Sequence, residues 1–184
     1  MNLKDLYKNM PKPEQDGACD HLINAEIPDI SLPTQNGNYL KLHRVDTFRL
    51  IIYCYPMTGR PDRPLPNNWH NIPGAEGCTI QTCSFRDNYD QLIINNALPI
   101  GVSTQSEEDI KEMTDRLQVP FDVLSDEQLL FCSTLKLPTF SIGNNTFMKR
   151  LTLIVEQSVI KHVFYPILPP HKNIVEVLNW LKKN

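Results

Sequence analysis

Two apolar runs, FRLIIYCY (48–55) and LPIGVST (98–104), constrain the fold more than anything else in the chain. Both are β-prone and continuous rather than alternating, the pattern of a strand covered on both faces. Each leads into a helical pattern. After a loop, the first is followed by an expected helix over about 79–96, with Phe85, Tyr89, Leu92 and Ile93 on one face. The second runs into SEEDIKEMTDRL, which opens on Ser106 with acids in its first turn, a helix start. Strand, helix and strand in that order imply a parallel pair joined by a crossover.

The remaining segments fit around that unit. IPDISLPTQNGNYLKL reads as two short extended pieces about the turn Asn36-Gly37. PFDVLSD is extended, and EQLLFCSTL is a short helix that cannot pass Pro138. RLTLIV and VIKHVFY form a hairpin around Glu156-Gln157-Ser158. HKNIVEVLNWLKKN is a closing helix with Ile174, Val177, Leu178 and Leu181 on one face. The order predicts an α/β sandwich: an N-terminal arm over 1–25 and one domain over 26–184. At 184 residues and 41% hydrophobic, such a domain buries a core without disulfide staples.

Charge and hydropathy narrow the partners. The net charge is −3 with the signs interspersed, so nothing suggests nucleic acid. Runs such as LIIYCY are too short to span a membrane. MNLKDLYKNMPKPEQD lacks the apolar stretch of a signal peptide, and the chain reads as cytoplasmic. Five cysteines, an odd number, argue for thiols kept reduced.

Chemistry concentrates in GCTIQTC (77–83), at the start of the first expected helix. A thiol attacks as thiolate. A helix N-terminus favours that form through its free N–H groups and positive dipole end. Cys78 sits at that end, and Cys83 lies one and a half turns further in. On an ideal helix their Cα atoms are roughly 8–9 Å apart. A disulfide needs less than about 7 Å, so the pair bonds only if the first turns unwind. The residues alone leave three readings open: inert core thiols, a metal site or a redox pair. Zinc is the weakest, because His70 is the sole neighbouring candidate and a fourth ligand is missing. Cys54 and Cys132 sit in apolar runs and are expected to pack; Cys19 is expected to be exposed. Arg150 opens an apolar strand and either points at an anion, such as a thiolate, or lies on the surface beside Lys149. Arg86 is expected to pair with Asp90 on its own helix. Between the first strand and GCTIQTC lies a long loop with five prolines, Pro56, Pro61, Pro64, Pro66 and Pro73. Loops of this length in compact domains are usually functional.

GCTIQTCSFRD resembles the active-site segment of AhpC/TSA-like thiol peroxidases of the bacterioferritin-comigratory, or Q, peroxiredoxin type. Gly77, Cys78, Thr79, Gln81, Cys83, Phe85, Arg86 and Asp87 fill the family's places. LIIYCYP, VPFDVLSDEQ and the late hairpin opened by Arg150 extend the likeness over about residues 25–184. The resemblance implies a thioredoxin-like fold, a central mixed β-sheet flanked by helices. It implies that Cys78 is peroxidatic, that Cys83 resolves it through an intramolecular disulfide, and that Arg150 holds thiolate and peroxide. The substrate would be hydrogen peroxide or an organic hydroperoxide and the partner a thioredoxin or similar dithiol. No cofactor is implied, and the chain would be a monomer. The family's Thr or Ser three residues before the first cysteine is Ala75 here, or Ile72 if Ala75-Glu76 is the insertion; neither has a hydroxyl, and Thr58 is the candidate to replace it. That loss keeps a second function open, a thiol–disulfide oxidoreductase or redox sensor. A third is a binding protein with the 57–76 loop as its contact surface.

Overall fold

The computed structural model describes residues 10–184, so the first part of the expected 1–25 arm, residues 1–9, lies outside the described residues. The strands are β1 (Ser31–Pro33), β2 (Tyr39–Lys41), β3 (Arg49–Cys54), β4 (Ala97–Ser103), β5 (Val123–Ser125), β6 (Thr139–Ile142), β7 (Asn145–Met148), β8 (Leu151–Glu156) and β9 (Val159–Phe164). The helices are α1 (Cys78–Asp87), α2 (Tyr89–Ile94), α3 (Glu107–Leu117), α4 (Leu130–Thr134) and α5 (Asn173–Leu181).

The central sheet runs β5-β4-β3-β8-β9. β3, β4 and β5 are mutually parallel, and β8 and β9 add on antiparallel, so the sheet is mixed, as expected. β3 lies in the middle and is buried along its whole length. Its pleat sends successive residues to opposite faces. Leu50, Ile52 and Cys54 enter one core with Cys19, Leu22, Leu42, Phe131 and Cys132. Ile51 and Tyr53 enter the other, with Cys78 and Phe85 of α1, Ile110 and Met113 of α3, and Ile174 and Val177 of α5.

The single helix expected over 79–96 is two. Asn88 breaks it: its Nδ2 donates to Ser84 O at 2.9 Å and its backbone N–H to Phe85 O at 3.3 Å. The side chain competes with the helical ladder, and α2 restarts at Tyr89. Two other features follow expectation, a helix start and a hairpin turn. Ser106 Oγ accepts from Asp109 N at 3.2 Å and caps α3. The β8–β9 turn lacks glycine, and Gln157 (φ +50°) and Ser158 (φ +63°) both take the left-handed backbone that a tight hairpin demands.

Two further expectations are corrected. Cys19, expected to be exposed, is 4% exposed and part of the first core. The turn Asp20–Leu22 tucks it under the sheet, and His21 Nε2 bonds Leu135 O at 2.9 Å. Arg86 does not pair with Asp90. Its Nε donates to Asp87 at 2.8 Å and its Nη1 to Leu117 O at 2.6 Å, which ties α1 to the end of α3. The segment TFSIGNNTFM adds the β6–β7 hairpin, an element outside the expected order. Phe140 and Phe147 of that hairpin pack on Trp69, so it carries the 57–76 loop.

Candidate active site

α1 places the thiols. It is pinned inward by Phe85, whose ring stacks on Tyr53 at 4.5 Å. Tyr53 in turn lies over Gly101 of β4, where a Cβ would come within 2.8 Å of the Tyr53 hydroxyl. Glycine is therefore what lets the aromatic layer under α1 lie flat on the sheet. The start of α1 is fixed from the other side. Gly77 has φ +95°, and a Cβ there would meet Pro170 Cγ at 2.6 Å. The turn Pro170–Lys172, which leads into α5, thus seals the first turn of α1.

Cys78 is the first residue of α1 and 2% exposed. Its Sγ donates to Ala75 O at 3.4 Å. Arg150, 3% exposed, stands against it with Nη2 at 3.2 Å from Sγ. The same Nη2 donates to Glu76 O at 2.9 Å and Gly74 O at 3.2 Å. Nη1 donates to Gln81 Oε1 at 2.5 Å. Of the two expected positions for Arg150, the buried one pointing at a sulfur is the one it occupies. It lies in the turn between β7 and β8, so the hairpin missed in the sequence is what aims it.

Cys83 lies in the same helix and is half-buried. Arg86 and Arg116 lie near it. The Arg86 pKa is raised, first by Asp87 and further by Cys83; that of Arg116 is raised first by Glu112 and further by Cys83. α1 is an unbroken helix through both thiols.

Thr58 is 1% exposed and belongs to a different set of contacts. Its hydroxyl donates to Gln105 Oε1 at 3.1 Å and its backbone N–H to the same oxygen at 2.8 Å. Gln105 Nε2 returns a bond to Thr58 O at 3.1 Å. Among the described residues, no hydrogen bond joins Thr58 to Cys78. The loop beyond it is held by charge: Arg60 and Arg63 both bond Glu108 and Asp109 at the start of α3. His70 bonds the Glu76 carboxylate within the loop.

The other thiols are on the opposite face. Burial keeps the Cys54 thiol protonated, with Cys132, Asp126 and Cys19 adding to it. Burial pushes the Cys19 and Cys132 thiols up to about 12 each. Sequence reasoning missed Asn173. Its side chain accepts from Gln81 Nε2 at 3.0 Å and from Thr152 Oγ1 at 2.8 Å. Nothing in the chain around position 173 marks it, because its partners lie in distant segments.

Comparison with known proteins places this arrangement. The pattern of the AhpC/TSA family matches residues 69–163. Peroxiredoxin Bcp of Escherichia coli K12 is 29% identical over 166 residues, covering 85% of this chain and 93% of that protein. Peroxiredoxin Q, chloroplastic, of Oryza sativa subsp. japonica is 27% identical over 156 residues, covering 84% of this chain and 64% of that protein. In the fold alone, the chain resembles Peroxidoxin BcpB from Mycobacterium tuberculosis, with a TM-score of 0.73 at 18% identity, covering 88% of this chain and 96% of that one.

Proposed function

Because the chain belongs to the AhpC/TSA family, we propose that it is a thiol peroxidase in which Cys78 attacks the peroxide, Cys83 resolves the product and Arg150 holds the reacting sulfur. One observation carries this reading: a buried guanidinium lies 3.2 Å from a cysteine sulfur at a helix N-terminus. Both the cation and the helix end favour thiolate over thiol.

The chemistry proceeds in two steps. The Cys78 thiolate attacks one peroxide oxygen, and the O–O bond breaks. The displaced oxygen takes a proton from solvent and leaves as water or an alcohol. Cys78 is then a sulfenic acid, oxidised by two electrons. The Cys83 thiolate attacks that sulfur, the S–S bond forms, and hydroxide leaves to become water. A dithiol of the thioredoxin type returns two electrons and both thiols are restored. The second step requires the first turns of α1 to open, since intact helical spacing is too wide for a disulfide.

Charge develops on the departing oxygen, and donors aimed there carry catalysis. Ala75 offers no hydroxyl. Thr58 has one hydroxyl proton, and it is committed to Gln105. We therefore place Thr58 with the loop and assign the donor role to Arg150 and to the N–H groups of Thr79 and Ile80, which lack intrahelical partners. The substrate is hydrogen peroxide or an organic hydroperoxide, and the working form is a monomer in a reducing cytoplasm, where the described cysteines stay unpaired.

Ala75 favours one further reading, a thiol–disulfide oxidoreductase or redox sensor with weak peroxide chemistry. Stopped-flow peroxide consumption with a thioredoxin, its reductase and a nicotinamide reductant decides between them. Saturable, enzyme-dependent consumption is expected. Disulfide exchange without peroxide consumption would establish the second reading, and neither activity would leave the loop as a binding surface.

A further inference from the structure

A buried polar chain leads from Arg150 to the C-terminal helix. Arg150 Nη1 donates to Gln81 Oε1, Gln81 Nε2 donates to Asn173 Oδ1, and Thr152 Oγ1 donates to that same oxygen. Gln81, Thr152 and Asn173 are fully buried. The direction of every bond is forced. A guanidinium only donates, so Gln81 must turn its oxygen to Arg150 and its NH₂ to Asn173. Asn173 must then present its oxygen, and Thr152 must supply a proton to it. The cost falls on Asn173 Nδ2, which is buried with no hydrogen-bond partner among the described residues.

We propose that Asn173 is a positioning residue for the peroxide reaction: acting through Gln81, it holds the Arg150 guanidinium on the Cys78 sulfur. The proposal rests on the reading of Cys78 and Arg150 given above. Among the described residues Arg150 Nε has no hydrogen-bond partner, so the plane of its guanidinium is set by Nη1 on one side and Nη2 on the other. Nη2 has a choice among the carbonyls of Gly74, Ala75 and Glu76 and the Cys78 sulfur. The Gln81 oxygen fixes which edge of the fork faces the sulfur, and Asn173 fixes the Gln81 oxygen. Asn173 is the first residue of α5, and the turn before it is the one that seals Gly77. The last helix of the chain thereby completes a site built from its middle.

The test uses the full chain carrying Cys83→Ser, so that Cys78 is the thiol that reacts with peroxide. Alkylation of Cys78 is followed against pH, with the second-order rate for hydrogen peroxide at neutral pH. Asn173→Ala is expected to move the alkylation midpoint upward by about one unit, and the rate with hydrogen peroxide should fall at every pH below the new midpoint. Gln81→Ala should do the same, and the double variant should move no further, because the two act in series. Val177→Ala, a buried change in the same helix but outside the chain of bonds, should leave the midpoint in place. Asn173→Leu, which fills the space without an unpartnered amide, carries the same expectation as Asn173→Ala if that variant does not fold. The proposal is overturned if Asn173→Ala and Asn173→Leu leave the midpoint unmoved, if Val177→Ala moves it equally, or if the Gln81 and Asn173 effects add. Arg150→Met separates the layers. If it moves the midpoint while the Asn173 variants do not, the positioning role alone fails. If it does not, the reading of Arg150 fails and takes this proposal with it.

Discussion

Two groups of cysteines face away from each other across one strand. Cys78 and Cys83 ride on α1, over the face of β3 that carries Ile51 and Tyr53. Cys19, Cys54 and Cys132 sit in the core on the face that carries Leu50 and Ile52. Burial alone does not separate them, since Cys78 is as buried as the others. The difference is what the sulfur meets. Cys78 meets a guanidinium and a helix N-terminus, whereas Cys54 meets apolar side chains, two other thiols and the Asp126 carboxylate. A thiol's chemistry is set by the charge it faces more than by the water it lacks.

The sharpest way to break this contrast is to remove one sulfur from each group. Cys78→Ser should reduce peroxide turnover to the uncatalysed background, while Cys132→Ser should leave it intact, as measured by stopped-flow peroxide consumption. Normal turnover in Cys78→Ser would erase the distinction.

Next in size is the division of labour within the first group. Cys83→Ser should still consume one equivalent of peroxide but fail to cycle, and Cys78 should progress to sulfinic acid, visible by peptide mass. In the unmodified chain, mild peroxide should yield one bond, Cys78 to Cys83. A bond to Cys54 or Cys132 would mean that the sheet does not keep the groups apart.

A smaller effect belongs to the second group. Cys54→Ser buries a hydroxyl where apolar side chains surround it, and should cost about 1–3 kcal/mol in denaturant unfolding with peroxide turnover unchanged. Lost turnover in a folded variant would give Cys54 a part in the chemistry.

The smallest effect tests whether the α5 end of the site feels pH. His162 stacks on Trp180 of α5 and edge-on against Phe164, and burial lowers its pKa from 6.5. The unfolded chain therefore binds the proton more readily. Stability is fully present above about pH 6.5 and declines as pH falls through the folded value. Thermal unfolding should weaken in mild acid, and His162→Phe should flatten that slope. An unchanged slope would show that other groups set it.

The legible and illegible parts of this molecule differ in range. Cys78, Cys83 and Gln81 lie within one helical segment whose apolar spacing and preceding glycine are visible in the chain. The three strands β3, β4 and β8 announce themselves as continuous apolar runs. The β6–β7 hairpin was readable too: Phe140 and Ile142 alternate with polar residues before Gly143-Asn144, a tight-turn pair. Cys19 was misplaced because its neighbours are polar, and only Leu22, one turn on, shares its inward face. Asn173 was unreadable on principle. Its partners Gln81 and Thr152 are 92 and 21 residues away, and no local pattern encodes a bond across such separations.

The whole-length burial of β3 also matters to anyone attaching a probe. Three of the described sulfurs are shut behind the sheet, and Cys78 lies beneath the first turn of its helix. A bulky maleimide dye meets one half-exposed sulfur, Cys83, and so can label a single known place without any cysteine being removed. That place lies in the helix that the proposed Cys78–Cys83 disulfide would have to open, so the dye's signal would report that opening.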